Sequence, residues 1–317
     1  MPAITNATTS GINNQNVSVN FPGVIEEIEE KAYVLLYEST LTPKLCKEVA
    51  RGVKGSGIEI PYFNPTTFAN SGFEMDEGVD YQSYTQLTNT SIRLSSKEFG
   101  IQSFLTDTVT ESGAFDFKAE IARQQAIGVS KKVEDYFIAQ LNDFENTINA
   151  TDSDGLSLVR IAAARTLLDS RLVTVPGDKS LMVHDFAWFY TATGQFNVGD
   201  AAYQSALPVY GEEVLRRWYV RTLFGDVHVF KNNYIPVTGD TNKVANSYMF
   251  VKDAVVYWVP RDYRLESERD ASARGWEFTS TMRIGAKTAI PEWGVKIASK
   301  ADTPAGATRA PDGGEGS

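Results

Sequence analysis

The chain predicts an α+β fold, in which helices and strands follow one another in irregular order, and three observations predict it. From Trp276 the residues alternate strictly. Trp276, Phe278, Ser280, Met282 and Ile284 fall on one face, and Glu277, Thr279, Thr281 and Arg283 on the other. That period of two marks a half-buried strand. Between residues 116 and 144, Ala122, Ala126, Val129, Val133, Tyr136, Phe137, Leu141 and Phe144 step by three and four. They form one apolar stripe on a helix roughly 40 Å long. Elsewhere short strands and helices mix without a fixed repeat, which argues against a regular parallel α/β sheet.

Composition sets the bounds. With 317 residues, 42% of them hydrophobic, the chain has enough apolar surface for a packed core in two lobes. It carries 30 basic and 40 acidic residues, a net charge of −10. Gripping nucleic acid requires clustered lysine and arginine against the phosphates, and no such run exists here. The expectation is a protein that encloses nucleic acid at most, without binding it tightly. The single cysteine, Cys46, excludes an intrachain disulfide and reads as a small buried hydrophobe. No apolar run approaches the ~20 residues that cross a bilayer, so no membrane partner is expected. The polar N-terminus lacks the basic start and apolar core of a secretion signal, which implies a cytosolic product.

The elements follow in order. Residues 1–20 are rich in Asn, Thr and Ser and bury too little to fold alone. Residues 24–38 predict an amphipathic helix with Val24, Ile28, Lys31 and Leu35 on one side and Glu26, Glu27, Glu29 and Glu30 in its first turns, where acids suit the dipole. Ile58-Glu59-Ile60-Pro61 reads as a short strand ended by a proline that cannot donate to a ladder. Residues 88–94 form its partner. The roughly 25 turn-rich, aromatic residues between them are long for a connection inside a compact domain. They predict a two-stranded loop leaving the body, which needs a partner surface because an isolated hairpin is marginal in water.

Residues 99–105 alternate as a strand ahead of the long helix, whose wet face is assigned Lys131, Lys132, Glu134 and Asp135. A second helix is expected with Leu158, Ile161, Ala162, Leu168 and Leu172 inward. Pro176-Gly177-Asp178 turns into a strand over 180–183, followed by a helix through Trp188 and Tyr190. Residues 194–210 read as a loop. Strands over 219–224 and 227–230 flank Gly225-Asp226, a hairpin signal. Three strand-like runs fill 248–297, and residues 301–317 form a low-complexity tail.

Chemistry finds little support. There are two histidines, His184 and His228, so a three-histidine zinc site is excluded. His184 beside Asp185 reads as a surface or capping histidine, and His228 as a packed strand residue opposite Val227 and Val229. Asp152-x-Asp154-Gly155 opens like a calcium loop, but its twelfth position is Ala163, not an acid. The acids Glu74, Asp76, Glu77 and Asp80 read as a solvated loop. Neither the glycine-rich phosphate loops nor a nucleophile elbow occurs. No catalytic, cofactor or metal residue is assigned. Both signs of charge crowd residues 261–274, where Arg261, Asp262, Arg264, Glu266, Glu268, Arg269, Asp270 and Arg274 lie. Exposed pairs add roughly 0–1 kcal/mol to a monomer, whereas copies in a repeating assembly can use them for register.

The order of parts resembles the major capsid proteins of tailed bacteriophages, the Hong Kong 97 phage fold, from about Gly52 to Ile297. Ile58-Glu59-Ile60-Pro61 and the turn-rich segment after it resemble the family's extended loop. Lys97-Glu98-Phe99-Gly100, Leu105-Thr106-Asp107 and the helix through Val133-Glu134-Asp135-Tyr136 resemble the strand and spine helix of its peripheral domain. Leu181-Met182-Val183-His184 and Leu223-Phe224-Gly225-Asp226-Val227-His228-Val229, then Ile235-Pro236, resemble its axial domain. Phe250-Val251-Lys252-Asp253-Ala254-Val255 and the charged strands to Ile297 resemble the return to the peripheral domain.

The resemblance implies an N-terminal arm and short helix over 1–50, an extended loop over 51–96 and a peripheral domain with its spine helix over 97–155. It further implies an axial domain over 156–251, return strands over 252–300 and a flexible tail over 301–317. It implies a structural protein, not an enzyme, whose hexamers and pentamers tile an icosahedral shell around double-stranded DNA without sequence-specific binding. Phe63, Phe68, Phe73, Tyr81 and Tyr84 would pack the loop on an adjacent copy. Glu266, Glu268, Arg269, Glu277 and Arg283 would join the inter-subunit contacts, and residues 1–38 would clasp a neighbour. The chain ahead of the loop is short, so a separate scaffolding protein is expected. A portal protein at one vertex completes the expected partners, with room for a decoration protein. The place is the virion, assembled in the bacterial cytoplasm. Two alternatives remain at this level: an encapsulin-like compartment around an enzyme cargo, and a hydrolytic enzyme using His184 or His228.

Overall fold

The computed structural model describes residues 32, 36, 40–62, 77, 90–112, 117–149, 155–170, 177–195, 221–239 and 243–304. The chain divides into two units, and its longest elements contribute to both. The first unit takes Met1–Thr40, Lys97–Val133 and Pro260–Ile284; the second takes Leu41–Ser96, Glu134–Val259 and Gly285–Ser317.

In the first unit, β4 (Lys97–Thr106) pairs antiparallel with β12 (Gly275–Thr288), in register from Ile284 opposite Lys97 to Gly275 opposite Thr106. The later part of β11 (Val255–Asp270) also lies here. The alternation holds from Phe278 onward: Phe278, Ser280, Met282 and Ile284 are buried, joined by Tyr263 and Leu265 of β11, whereas Trp276 is only half-buried. A short helix, α2 (Asp107–Ser112), leads to α3 (Phe117–Leu141), whose 25 residues span about 37 Å. Its early residues Ala122, Ala126, Val129 and Val133 are buried. They meet the sheet closely. Gln125 Nε2 donates to the Phe278 carbonyl at 2.9 Å, and a Cβ on Gly128 would stand 2.4 Å from Ile101 Cδ1.

Burial also ties the polar side chains of this layer together. Ser280 is fully buried; its hydroxyl donates to Gln125 Oε1 and lies 2.8 Å from the Tyr263 hydroxyl. Ala32 and Leu36, the two described members of the predicted 24–38 helix, are helical and buried.

The second unit is built on a mixed sheet of β5 (Asn146–Ile148), β6 (Lys179–Val183), β7 (Thr222–Leu223), β8 (Val227–Lys231), β9 (Val237–Thr238), β10 (Val244–Val251) and β13 (Gly294–Lys300). The order is β5-β13-β10-β6-β8-β7, with β9 also on β10. β6 and β8 run parallel, as do β5 and β13, while β10 is antiparallel to both its neighbours. Two helices, α4 (Leu158–Asp169) and α5 (Asp185–Gln195), share one core with this sheet. Ile161, Ala164 and Leu168 of α4 and Trp188 of α5 meet Leu181, Val183, Val227, Val229, Met249 and Ile297 there. Ser157 caps α4, its hydroxyl accepting from Arg160 N–H.

The same unit holds a short α1 (Thr42–Leu45), the edge strand β1 (Lys47–Arg51) parallel to β11, and an antiparallel hairpin of β2 (Gly57–Tyr62) and β3 (Thr90–Ser95). The hairpin was expected; its register, with Ile58 opposite Leu94 and Ile60 opposite Ile92, comes from the structure. Pro61 does not end β2. It pairs with Ser91 one residue before the strand stops, which an edge tolerates because the missing N–H faces away from the partner.

Several expectations need correction. The inward face of α4 runs through Ile161, Ala164 and Leu168, whereas Ala162 is only half-buried; Leu172 lies outside the described residues. Residues 244–300 hold four strands where three were expected over 248–297, because β11 and β12 are separate long strands. Gly194 and Gln195 end α5 and are not loop. Of the predicted 219–224 strand, Thr222–Leu223 is extended, and Phe224 (φ 53) and Gly225 (φ 86) turn the chain into β8; residues 219 and 220 lie outside the described residues. Glu134 is not on a wet face: it is fully buried.

Candidate assembly interface

The charged stretch of the first unit sits on the later part of β11 and on the outer face of β12. Arg264 and Glu266 pair at 2.8 Å, both largely exposed. Arg269 reaches Asp107 at 3.2 Å and stands 6.0 Å over the Trp276 ring. Glu277 accepts from Gln102 Nε2 at 3.0 Å. Glu98 draws two guanidiniums: Arg261 donates to it directly, and Arg283 Nε stands 4.0 Å away. Glu268 is exposed. These partners hold the side chains in a fixed charge pattern while leaving them in contact with solvent, and such pairs add little to the stability of one chain. Phe63, Phe68, Phe73, Tyr81 and Tyr84 lie outside the described residues, as do residues 1–31.

Two buried or half-buried charged centres stand out among the described residues of the second unit. Buried Lys179 donates to Asp226 Oδ2 at 3.0 Å and pairs with Asp169 at 2.9 Å, while Arg165 Nε donates to the same Asp226 oxygen at 3.1 Å. Burial works against the charges of Lys179 and Asp226. The two carboxylates outweigh it for Lys179, whose ammonium titrates above the usual lysine range. Lys179 and then Arg165 outweigh it for Asp226, which is held below the usual carboxylate range.

The other centre is Glu134. Its Oε1 accepts from Leu41 N–H and, at 2.8 Å, from Thr42 N–H; its Oε2 accepts from the Thr42 hydroxyl and, at 2.9 Å, from Asn232 Nδ2. Sequence reasoning missed this residue. One signal was available: Ala126, Ser130 and Glu134 are spaced by four, so Glu134 falls beside Val133 and Phe137 on the inward side of α3.

The histidines show little of a catalytic arrangement. His184 is buried, not on the surface, and the capping part of its reading is right: Nδ1 accepts from Phe186 N–H at 3.1 Å at the start of α5. His228 lies opposite Val227 and Val229 on β8, half-exposed rather than packed. Its Nδ1 is 3.2 Å from the Thr222 hydroxyl, and its Nε2 is 3.3 Å from Asp178, whose side chain is 71% exposed. Water competes for each partner there, so the imidazole gains no low-dielectric environment. Cys46 is buried, and burial pushes its thiol far above the ordinary range, against any role as a nucleophile. Among the described residues no cluster of His, Cys, Asp and Glu has the makings of a metal site, and no helix is long and apolar enough to cross a membrane.

Comparison with known proteins places this geometry. The profile of a family described as phage capsid protein matches residues 91–297, close to two thirds of the 317-residue chain. No curated protein matches at a significant level. Solved structures are similar in fold. One from Mycobacterium phage Che8 has 16% identity and a TM-score of 0.61, over 81% of this chain and 90% of that one. The capsid of Helicobacter pylori bacteriophage KHP30 has 12% identity and a TM-score of 0.61, over 81% and 88%. A virus-like particle from Pyrococcus furiosus has 12% identity and a TM-score of 0.55, over 86% and 99%. At these identities the likeness is one of fold.

Proposed function

This chain belongs to the phage capsid protein family, and on that premise we propose that its copies form the hexamers and pentamers of an icosahedral shell around the double-stranded DNA of a tailed bacteriophage. The observation that carries the reading is the extent of the match. Residues 91–297 take in the long helix, the alternating sheet and the mixed sheet, and so include parts of both units.

The net charge of −10 supports a container that does not grip its contents. The exposed pairs of β11 supply a charge pattern that neighbouring copies can read. In this reading Glu266, Glu268, Arg269, Glu277 and Arg283 meet a second copy, and the aromatic segment beyond β2 packs on a neighbour. A scaffolding protein and a portal assist assembly in the bacterial cytoplasm, and the chain performs no catalysis.

The test is expression of the chain, alone and with a candidate scaffold, followed by particle mass from light scattering and negative-stain imaging. Closed shells or capsomer rings are expected. A monomer or dimer under every condition overturns the reading and returns attention to His228.

A further inference from the structure

We infer that Glu134 is a positioning residue: within the second unit it latches the start of α1 to α3. The chain enters that unit at Leu41 and again at Glu134, and the carboxylate ties these two entry points together. It is fully buried, and no lysine, arginine or histidine among the described residues forms an ion pair with it. Four donors from two stretches of chain replace water instead: the N–H groups of Leu41 and Thr42, the Thr42 hydroxyl and Asn232 Nδ2.

The cage is oriented from behind. Asn232 Oδ1 accepts from Tyr234 N–H at 2.9 Å, and Asn232 N–H donates to the Val183 carbonyl at 2.8 Å. The amide of Asn232 therefore cannot flip, and its Nδ2 must point at Glu134. Met182 Sδ lies 3.4 Å from the Thr42 hydroxyl and 3.5 Å from Asn232 Nδ2, which closes the site on the sheet side.

An amide at position 134 keeps one acceptor and gains a donor. Its oxygen can still take the Leu41 and Thr42 N–H groups, but its NH2 meets the NH2 of Asn232, which has no freedom to turn away. The latch should open while the apolar core beneath it stays intact. Exchanging the two groups, Glu134→Gln with Asn232→Asp, restores a donor facing an acceptor. It leaves the net charge unchanged and still provides an acceptor for Tyr234 N–H.

Hydrogen exchange on the purified full chain reads this out. In Glu134→Gln the Leu41 and Thr42 amides should exchange about tenfold faster or more, with Leu181 and Val229 in the sheet core unchanged. The double variant should return them towards wild type. If Glu134→Gln does not fold, Thr42→Val, which replaces the hydroxyl with a methyl, should give a smaller rise confined to the same amides. Unchanged exchange at 41–42 overturns the inference, and so does an equal rise throughout the core.

The consequence for assembly rests on the shell reading. Closed particles should fall several-fold in Glu134→Gln and recover in the double variant. Normal particle yield from Glu134→Gln would overturn this step. A wild-type chain that forms no particles would refute the shell and leave the exchange result to decide the latch.

Discussion

The ring of Phe144 fills the space that a Cβ on Gly294 would need: such an atom would stand 2.3 Å from Cδ1 of the ring. Gly294 begins β13 with φ −136, so its backbone is ordinary and the demand for glycine is one of close approach. The contact has little room to adjust. Phe144 is buried and packs on Phe250 with ring centroids 5.8 Å apart, and Asn146 Nδ2 donates to the Gly294 carbonyl at 2.9 Å.

Gly294→Ala should therefore destabilise the second unit by about 1–3 kcal/mol, the cost of overpacking a filled core. Denaturant unfolding should show a lower midpoint at unchanged slope. Phe144→Leu added to Gly294→Ala should recover part of the loss, and full additivity of the two would count against the clash.

Gly128→Ala makes the contrasting case. The nearest obstacle is again 2.4 Å from the added Cβ, but it is the terminal methyl Cδ1 of Ile101, which can rotate away. Glycine inside a helix costs about 1 kcal/mol relative to alanine. The substitution should leave stability within about 1 kcal/mol of wild type by the same measurement. A loss of the size expected at Gly294 would mean that Ile101 is locked.

Ser280→Ala removes the hydroxyl that links Gln125 and Tyr263 in the first unit, and with it the donor to the buried Gln125 Oε1. The expected cost is roughly 1–3 kcal/mol, the cost of leaving the buried Gln125 acceptor without its donor. A change below about 0.5 kcal/mol would indicate that water reaches the site.

The Lys179 cluster gives a pH dependence with a definite sign. Asp226 has a lowered folded value, so its contribution is present above the ordinary carboxylate value near ~3.9 and disappears as pH falls through the folded one. Lys179 has a raised value, so its contribution is present below ~10.4 and disappears as pH rises through the folded value. Lys179→Met should cost most stability between these limits, and the deficit should shrink as pH falls through the folded value of Asp226, which makes the acid limb of a Tm-versus-pH curve shallower. A constant deficit across the acid limb would contradict the coupling to Asp226.

Arg283→Glu and Glu277→Lys bear on the shell reading. Both side chains are partly exposed on the outer face of β12, so subunit stability should change by under about 1 kcal/mol. Particle yield measured by light scattering should fall several-fold. Equal losses of soluble subunit and of particles would place these charges in folding instead of assembly.

Local periodicity was enough to read the α+β class, the strand over 276–284, the apolar stripe of the long helix, the β2–β3 pairing and the turn at Gly225. All but the β2–β3 pairing, which joins residues 57–62 to 90–95, depend on residues within a few positions of one another, and burying one face of a strand or helix imposes its period on the sequence whatever lies opposite. The charged residues of β11 were legible as a cluster, but their partners were not: Arg261 finds Glu98 and Arg269 finds Asp107, 163 and 162 positions away.

Glu134 marks the limit most clearly. Beside Lys131 and Lys132 it reads as one more solvated charge, and its place on the inward side of α3 does not say what could neutralise it. Its donors come from Thr42 and Asn232, 92 and 98 positions away. The sequence by itself determined the elements, the acidic balance and the family resemblance. Only the tertiary structure decided which polar groups are buried and what satisfies them, because burying a charge depends on partners that the chain brings together only when it folds.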